Sequence, residues 1–192
     1  MALSLYLASA SPRRKQLLSQ LGYDFIQFSV DADESLLNDE TPLAHVERLA
    51  CLKAQMAVAK GYTDRPVLGS DTVVVIDNTA LGKPRDKQDF MATMARLSGR
   101  THQVYTAIAL ANSTRIVSKV VCTDVTFKSL SEQELEDYWH SGEPLDKAGG
   151  YGIQGLGGKF VTRLSGSYFA VMGLPLYETD ELIKEFTEGS YE

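Results

Sequence analysis

The chain contains 192 residues with a formal net charge of −6 at pH 7, and 44% of its residues are apolar. That length and apolar content suffice to bury one core, so we expect residues 1–192 to form a single domain. The acidic balance without a long basic tract argues against a nucleic-acid partner. No stretch approaches the ~20 apolar residues of a membrane span, which argues against a membrane protein.

Two features of the sequence concern the compartment. Cys51 and Cys122 stand in neither a metal-binding nor a redox spacing, and we interpret both as core thiols of a reducing compartment. Residues 1–10 end like a signal-peptide cleavage site, but they lack a basic segment and their apolar run is short. We therefore expect a cytoplasmic protein.

The first predicted elements are a strand and a helix. Residues 3–8 alternate apolar and small side chains, which predicts a strand. Ser11 followed by Pro12 predicts a helix start, because a hydroxyl caps the free N–H groups and the proline ring suits the first helical position. Gly22 is the predicted end of this helix.

The first turn of this helix carries the cations Arg13, Arg14 and Lys15. They oppose the helix dipole, whereas a bound anion would be attracted by the backbone N–H groups and by the guanidinium groups together. A phosphate site is the favoured interpretation, and a solvated basic surface turn is the alternative. On the first interpretation, replacing Arg14 by alanine should leave the fold intact and relieve the opposition to the dipole.

A second strand over residues 23–30 and an acidic loop over residues 31–34 are predicted next. Thr41 and Pro42 repeat the cap-plus-proline signal and predict a long helix over residues 42–60. Lys53 lies beside the apolar face of this helix, four residues after Leu49. Periodicity alone favours a side chain whose methylene stem covers the core while its ammonium reaches water. A ligand-binding role for Lys53 is the alternative.

Residues 67–76 form a nearly continuous apolar run, which is typical of a central strand covered on both faces. Asp71 lies inside this run. A buried carboxylate is costly unless cations, a metal ion or hydrogen bonds lie nearby. Taken alone, the segment fits a functional carboxylate and a structural one bonded to neighbouring backbone equally well.

The second half of the chain predicts further strands interleaved with helices, so the fold class is α/β with a mixed β-sheet flanked by helices. These elements are a tight segment that places Lys83, a helix capped by Asp86, strands over residues 101–111 and 115–127, a helix opened by the capping box of Ser131, a hairpin of strands over residues 160–164 and 168–172, and a terminal helix after Pro175.

Residues 141–158 form a glycine-rich loop. Residues 150–155 match the dinucleotide-binding pattern G-x-G-x-x-G by letter, but no strand precedes them and no helical pattern follows. We interpret the segment as a flexible loop that approaches a ligand closely and carries Gln154.

The chemistry open to this chain is limited by what the sequence lacks. It has no P-loop and no G-x-S-x-G motif, and its three histidines lack zinc spacing. Cations bind phosphate oxygens, and carboxylates hold Mg²⁺ or Mn²⁺ and accept a proton from water, so the predicted chemistry is hydrolysis of a phosphoanhydride. The available cations are Arg13, Arg14, Lys53 and Lys83, and the acids are Asp33, Glu34 and Asp71.

A set of motifs runs in order along nearly the whole chain: Ser9-x-Ser11-Pro12-Arg13-Arg14, Asp33-Glu34, Gly69-x-Asp71-Thr72, Gly82-Lys83-Pro84, Ser98-Gly99-Arg100, Asp146-Lys147-Ala148-Gly149, Tyr151-Gly152-Ile153-Gln154-Gly155 and Gly173-Leu174-Pro175. In this order they resemble the Maf family of nucleotide pyrophosphatases. The glutamine-bearing loop resembles the branch of that family that acts on dTTP and UTP.

The resemblance implies a two-lobed mixed α/β fold around a cleft, related in architecture to the inosine-triphosphate pyrophosphatases. It makes Asp71 the proton acceptor, and Arg13, Thr72 and Gln154 the specificity positions. We assign a divalent cation, Mg²⁺ or Mn²⁺, to Glu34 and Asp71. The phosphate contacts are assigned to Ser9, Arg14, Lys53 and Lys83.

The implied activity is hydrolysis of dTTP and UTP to the nucleoside monophosphate and pyrophosphate, with house-cleaning of modified pyrimidine nucleotides as a further role. The alternative is a nucleotide-binding regulator, since the resemblance also carries an association with inhibited septum formation. Relatives are often dimers, so the resemblance is compatible with a homodimer.

Overall fold

The computed structural model describes residues 4–188. Its strands form one seven-stranded sheet in the order β2-β1-β3-β5-β6-β7, with β4 paired to β3. Strands β1, β2 and β3 run parallel, and the remaining pairs are antiparallel, so the predicted mixed sheet is confirmed. The strands are β1 (Ser4–Ala8), β2 (Asp24–Phe28), β3 (Val67–Ile76), β4 (Thr79–Leu81), β5 (Thr101–Ala111), β6 (Ile116–Phe127) and β7 (Val161–Ser165).

The helices begin where local capping signals predict. The side chains of Ser11, Thr41, Asp86 and Ser131 each accept a hydrogen bond from the backbone N–H three residues later. The helices are α1 (Pro12–Gln20), α2 (Pro42–Ala59), α3 (Lys87–Leu97), α4 (Glu132–His140), α5 (Tyr168–Met172) and α6 (Leu176–Glu188).

The helices divide between the two faces of the sheet. Helix α2 packs on one face, against alternate residues of β3 and β5. On the other face, α1, α5 and α6 share one apolar cluster, while α3 and α4 share another with the glycine-rich loop. Among the described residues, Thr72 falls between these two clusters in the sequence of β3, which places it at their boundary. The division of the domain into two lobes stays a prediction.

One edge of β3 is open in its middle. Strand β1 pairs with it only at Val67 and Leu68, and β4 pairs with it only from Val74 onward. Residues 69–73 therefore pair with β5 alone within the described part of the chain. The sheet has a gap at this edge, so side chains from both faces of β3 border the same space.

Residues 168–172 form helix α5, so the prediction of a strand in a final hairpin is wrong. The Ser167 hydroxyl accepts from the Ala170 N–H at 3.1 Å and caps the helix, and Gly173 ends it with a φ of 120°. A run of five apolar residues has too few positions to distinguish a strand from a short buried helix.

The cysteines are less buried than predicted. Both thiols are free, but Cys122 is exposed and Cys51 is only partly buried. Cys122 is on the face of β6 opposite the buried Thr123 and Val125, where helix α2 does not cover it fully. The interpretation of Cys122 as a core thiol is wrong.

No helix between residues 4 and 188 combines the length and the hydropathy that crossing a bilayer requires.

Candidate functional site

A cleft of about 630 Å³ opens at the gap in the sheet edge, between the end of β1, the middle of β3 and the glycine-rich loop. The predicted site residues come from six separate segments of the chain. All of them line this cleft: Ser9, Arg13, Arg14, Glu34, Lys53, Asp71, Thr72, Lys83 and Gln154.

The centre of the cleft is an ammonium held by two carboxylates. Lys53 Nζ lies 2.8 Å from Asp71 Oδ1 and 2.8 Å from Glu34 Oε1. Only 9% of Lys53 is exposed, so its ammonium does not reach into bulk water and the interpretation based on helical periodicity is wrong. Asp71 is likewise no isolated structural carboxylate, because its charge is compensated by a cation from α2.

The two carboxylates are chemically suited to a divalent cation. Glu34 and Asp71 already converge on one positive group, and Mg²⁺ is commonly held by one or two carboxylates together with substrate phosphates. Among residues 4–188 there is no group of three or more histidine, cysteine or acidic side chains that could hold a metal by itself. These residues therefore fit a cation whose remaining ligands come from substrate and water.

The charges around Glu34 keep it ionised. Partial burial raises its pKa, but the hydrogen bond and charge of Lys53, with the charges of Lys83 and Arg14, outweigh burial and lower the pKa overall. The carboxylate of the neighbouring Asp33 stabilises its own loop instead, because it accepts hydrogen bonds from the backbone N–H and the hydroxyl of Ser35. Of the acidic pair, only Glu34 joins the cleft.

The Arg14 guanidinium donates hydrogen bonds to three oxygens of the protein. Its Nε donates to the Gly173 carbonyl at 2.8 Å, its Nη1 to Ser9 Oγ at 3.4 Å and its Nη2 to Thr72 Oγ1 at 3.1 Å. Burial and the charge of Arg13 lower its pKa, while Asp71 and Glu34 act in the opposite direction. The surface-turn alternative is wrong for Arg14, and an anion is not its only favourable partner.

We expect Arg14→Ala to lower the melting temperature, contrary to what the dipole argument alone suggests. Losing bonds from a charged donor to three protein oxygens should cost about 1–3 kcal/mol of unfolding free energy. Thermal melting of the variant beside Lys15→Ala, an exposed cation in the same turn, measures this. An Arg14→Ala protein that melts at or above the wild-type temperature would contradict the expectation.

Ser9 lines the cleft, and within residues 4–188 its hydroxyl proton has no acceptor. Its oxygen accepts from the Ser11 N–H at 3.2 Å and from Arg14 Nη1, so both of its acceptor positions are in use. The Gln27 amide donates to the Ser9 and Ser11 carbonyls and holds this turn in place. A hydroxyl with a free proton and neighbouring cations suits a phosphate oxygen.

The two other cations line the cleft from different elements. Arg13 in α1 lies close enough to the glycine-rich loop for its charge to contribute to the lowered pKa of Asp146, whose main cause is the hydrogen bond from Lys147. Lys83 is exposed after β4, and its charge acts on Glu34. The cleft is thus positively charged on several sides of the carboxylate pair.

The glycine-rich loop is anchored to the core at Tyr151 and Gly152, in its second half. Tyr151 OH and His102 Nε2 are 2.7 Å apart, and the Gly152 N–H donates to Tyr138 OH at 3.1 Å. Burial lowers the pKa of His102 to about 4, so this ring is neutral near pH 7. The loop contains short 3₁₀ turns at Glu143–Asp146, Ala148–Gly150 and Leu156–Phe160. The loop is therefore not the strand-to-helix turn of a dinucleotide site, which agrees with the prediction from the sequence.

Gln154 lies beyond these anchors with its side chain exposed. Its Nε2 donates to Gln16 Oε1 of α1 at 3.4 Å, a long bond between two exposed side chains. The amide is thus available to turn toward a ligand.

Two contributors to the site were given no role from the sequence: Thr106, and Gly173, which was noted only as part of a motif. The Gly173 carbonyl accepts from both Arg14 and Ser70, and the Thr106 hydroxyl lies 3.0 Å from Thr72 Oγ1. Thr106 begins the most buried part of β5 and is followed by five buried apolar residues. A single hydroxyl before such a run was the available signal, whereas a backbone carbonyl leaves no signal in a sequence.

The chain matches the family described as Maf-like protein over residues 4–186. A curated protein named dTTP/UTP pyrophosphatase from Pseudoalteromonas translucida (strain TAC 125) is 68% identical over 186 residues, covering 97% of this chain and 98% of the relative. Another with the same name, from Aliivibrio fischeri (strain ATCC 700601 / ES114), is 56% identical over 192 residues, covering 97% of this chain and 100% of the relative.

Among solved structures, a nucleoside-triphosphatase / dITP/XTP pyrophosphatase from Mycobacterium abscessus superposes with a TM-score of 0.46 and 17% identity, covering 73% of this chain and 94% of that chain. The expected relation to the inosine-triphosphate pyrophosphatases remains a prediction.

Proposed function

The chain belongs to the Maf family, and from this premise we propose that it hydrolyses dTTP and UTP to the nucleoside monophosphate and pyrophosphate. The observation that carries the proposal is the pair of carboxylates on one ammonium, Glu34 and Asp71 on Lys53, inside a cleft bordered by the cationic first turn of α1. Such a site binds a triphosphate and activates water beside it.

In the proposed reaction, water attacks the phosphorus between the nucleoside and the pyrophosphate leaving group. Asp71 accepts the proton of this water, and Lys53 orients its carboxylate through a hydrogen bond of 2.8 Å. A divalent cation, which we propose to be held by Glu34 and Asp71, supplies charge neutralisation of the phosphate oxygens when bound. Ser9, Arg14, Lys53 and Lys83 contribute hydrogen bonds and positive charge to the same oxygens, and Arg13 remains a specificity position.

The base is read, in this proposal, by the side chains of Gln154 and Thr72. Uracil and thymine present one donor, N3–H, between two carbonyl acceptors, and a glutamine amide offers a matching acceptor and donor. Cytosine has no proton at N3 and an amino group in place of one carbonyl. A site built on hydrogen bonds rejects such a mismatch by up to ~10⁴-fold, whereas one methyl group changes specificity only ~10–200-fold.

We therefore expect dTTP and UTP to be hydrolysed well, and dCTP, CTP and unmodified purine triphosphates far more slowly. Gln154→Ala should narrow the gap between dTTP and dCTP rather than slow all substrates equally. The measurement is kcat/KM for each nucleotide with Mg²⁺ or Mn²⁺, with pyrophosphate as the product detected and a chelator as the metal control. Equal wild-type activity on dTTP and dCTP would contradict base reading, and tight binding without release of pyrophosphate would favour the regulatory alternative.

We also propose a cytoplasmic location for this activity. The two free thiols, Cys51 and Cys122, support a reducing compartment.

A further inference from the structure

The direction of one buried hydrogen bond follows from its acceptor. Thr106 Oγ1 lies 2.6 Å from the carbonyl oxygen of Ala170, and Thr106 is fully buried. A carbonyl oxygen only accepts, so the Thr106 hydroxyl donates its single proton to Ala170. The Thr106 oxygen is therefore left with acceptor positions only.

This assignment also settles the contact between Thr106 and Thr72, whose hydroxyl oxygens are 3.0 Å apart. Since the proton of Thr106 is already used, the bond between them must be donated by Thr72. Arg14 Nη2 donates to Thr72 Oγ1 at 3.1 Å and occupies one of its lone pairs. Thr72 therefore has one lone pair left and no proton to offer a ligand in the cleft.

Ser9 and Thr72 differ in the hydrogen bonds that their hydroxyl groups can offer to a ligand. Ser9 Oγ accepts from the Ser11 N–H and from Arg14, which leaves its proton free. The same guanidinium thus bonds to one hydroxyl that can donate and to another that can only accept. A phosphate, which lacks donors when fully ionised, suits Ser9, whereas Thr72 requires a ligand group that carries a proton.

We propose that Thr106 is a positioning residue that holds Thr72 as a hydrogen-bond acceptor and thereby selects a base with a proton at N3. The proposal rests on the pyrimidine nucleotide activity proposed above and names the source of its selectivity. Uracil and thymine bring the N3–H that Thr72 accepts. Cytosine brings a lone pair at N3, which would face the lone pair of Thr72.

Thr106 gives the site a hydrogen-bonding group of fixed direction, which the Gln154 amide does not provide. The amide of Gln154 is exposed, and within residues 4–188 its only hydrogen-bond partner is Gln16, so its orientation is less firmly held than that of a hydroxyl bonded to a buried group. The Thr72 hydroxyl cannot reverse without losing its bond to a buried partner. Leaving a buried polar group unpaired is unfavourable, which makes the fixed hydroxyl the stricter of the two readers.

The decisive variant is Thr106→Val, which has nearly the same shape but no acceptor for Thr72. The Thr72 proton is then free to donate to N3 of cytosine. The Ala170 carbonyl stays paired, because it also accepts from the Gly173 N–H at 2.9 Å. We expect the ratio of kcat/KM for dTTP over dCTP to fall by about tenfold or more, chiefly through a gain on dCTP.

Two controls separate positioning from a loss of stability. Thr106→Ser keeps the hydroxyl and should restore the wild-type ratio. Thr179→Val removes a fully buried threonine hydroxyl in α6, outside the cleft, and should leave the ratio within about twofold of wild type. If Thr106→Val does not fold, Thr106→Ala removes the same acceptor and provides the same comparison.

The outcomes distinguish this inference from the function on which it rests. A wild-type protein that prefers dTTP, with the same preference in Thr106→Val, would overturn the role of Thr106 and leave the proposed function standing. A wild-type protein with no preference between dTTP and dCTP would overturn both. A lower ratio in Thr106→Val that Thr106→Ser restores is the result we expect.

Discussion

The Asp71→Asn variant should lose more than ~10²-fold of the wild-type kcat, the lower range for removing general-base assistance. Asparagine keeps the shape of the side chain and can still accept from Lys53, but it neither takes a proton from water nor supplies a negative charge to a cation. The loss should fall on kcat rather than on KM, because the groups proposed to hold the phosphates, Ser9 and Arg14 among them, are unchanged. Steady-state kinetics of pyrophosphate release with dTTP measure both constants.

The matched control for Asp71→Asn is Asp180→Asn in α6. Asp180 is also a carboxylate with a specific partner, accepting from Tyr23 OH at 2.7 Å, but it lies outside the cleft. We expect its variant to keep kcat within about twofold of wild type, since substitutions away from such sites have small effects. An Asp71→Asn enzyme that retains more than a tenth of wild-type kcat would show that Asp71 is not the proton acceptor.

Gly69→Ala should destabilise the fold by about 1–3 kcal/mol or more, through a contact that no side chain can relieve. A Cβ atom at residue 69 would lie 2.3 Å from the Ala50 carbonyl oxygen and 2.9 Å from the Ala54 nitrogen, both in the backbone of α2. Helix α2 would have to move away from β3. Urea unfolding of the variant measures the loss of free energy.

The same displacement should lower activity, because the close approach at Gly69 brings Lys53 of α2 within 2.8 Å of Asp71 of β3. Gly82→Ala is the control for stability, since a Cβ there meets nothing within 4 Å and the residue has no positive φ. We expect Gly82→Ala to unfold near the wild-type urea concentration. Gly69→Ala with wild-type stability would mean that α2 tolerates a larger separation from the sheet.

Much of the secondary structure was predictable because its determinants are local. A helix start depends on a capping hydroxyl or carboxylate and the next three residues, and all four predicted caps, at Ser11, Thr41, Asp86 and Ser131, form as expected. The central strand over residues 67–76 follows from its apolar run, and its predicted bounds agree with β3. The family followed from ordered motifs, which need no coordinates.

The prediction of a strand over residues 168–172 was wrong because the segment is too short for its pattern to distinguish a strand from a helix. The run Tyr168–Met172 suits a strand or a helix by composition, and the outcome depends on the cap at Ser167 and on the space beside β5. Tertiary context overrides a weak local preference in such a segment.

The ion pairs and hydrogen bonds of the site were decided only by the tertiary structure. Lys53 lies on the edge of a helical apolar face, and nothing in that periodicity indicates that Glu34 and Asp71 meet its ammonium. Arg14 opposes its own helix dipole in the sequence, yet its guanidinium donates to three oxygens, two of which, in Thr72 and Gly173, come from distant segments.

The sequence by itself determined the elements, the family and the types of chemical group available, since each depends on residues near one another in the chain. Only the tertiary structure decided which groups meet and which of them donates. The reason is that a hydroxyl can donate or accept, and its direction depends on every partner at once. For Thr72 these partners are Arg14, 58 residues away, and Thr106, 34 residues away, whose own proton is taken by Ala170.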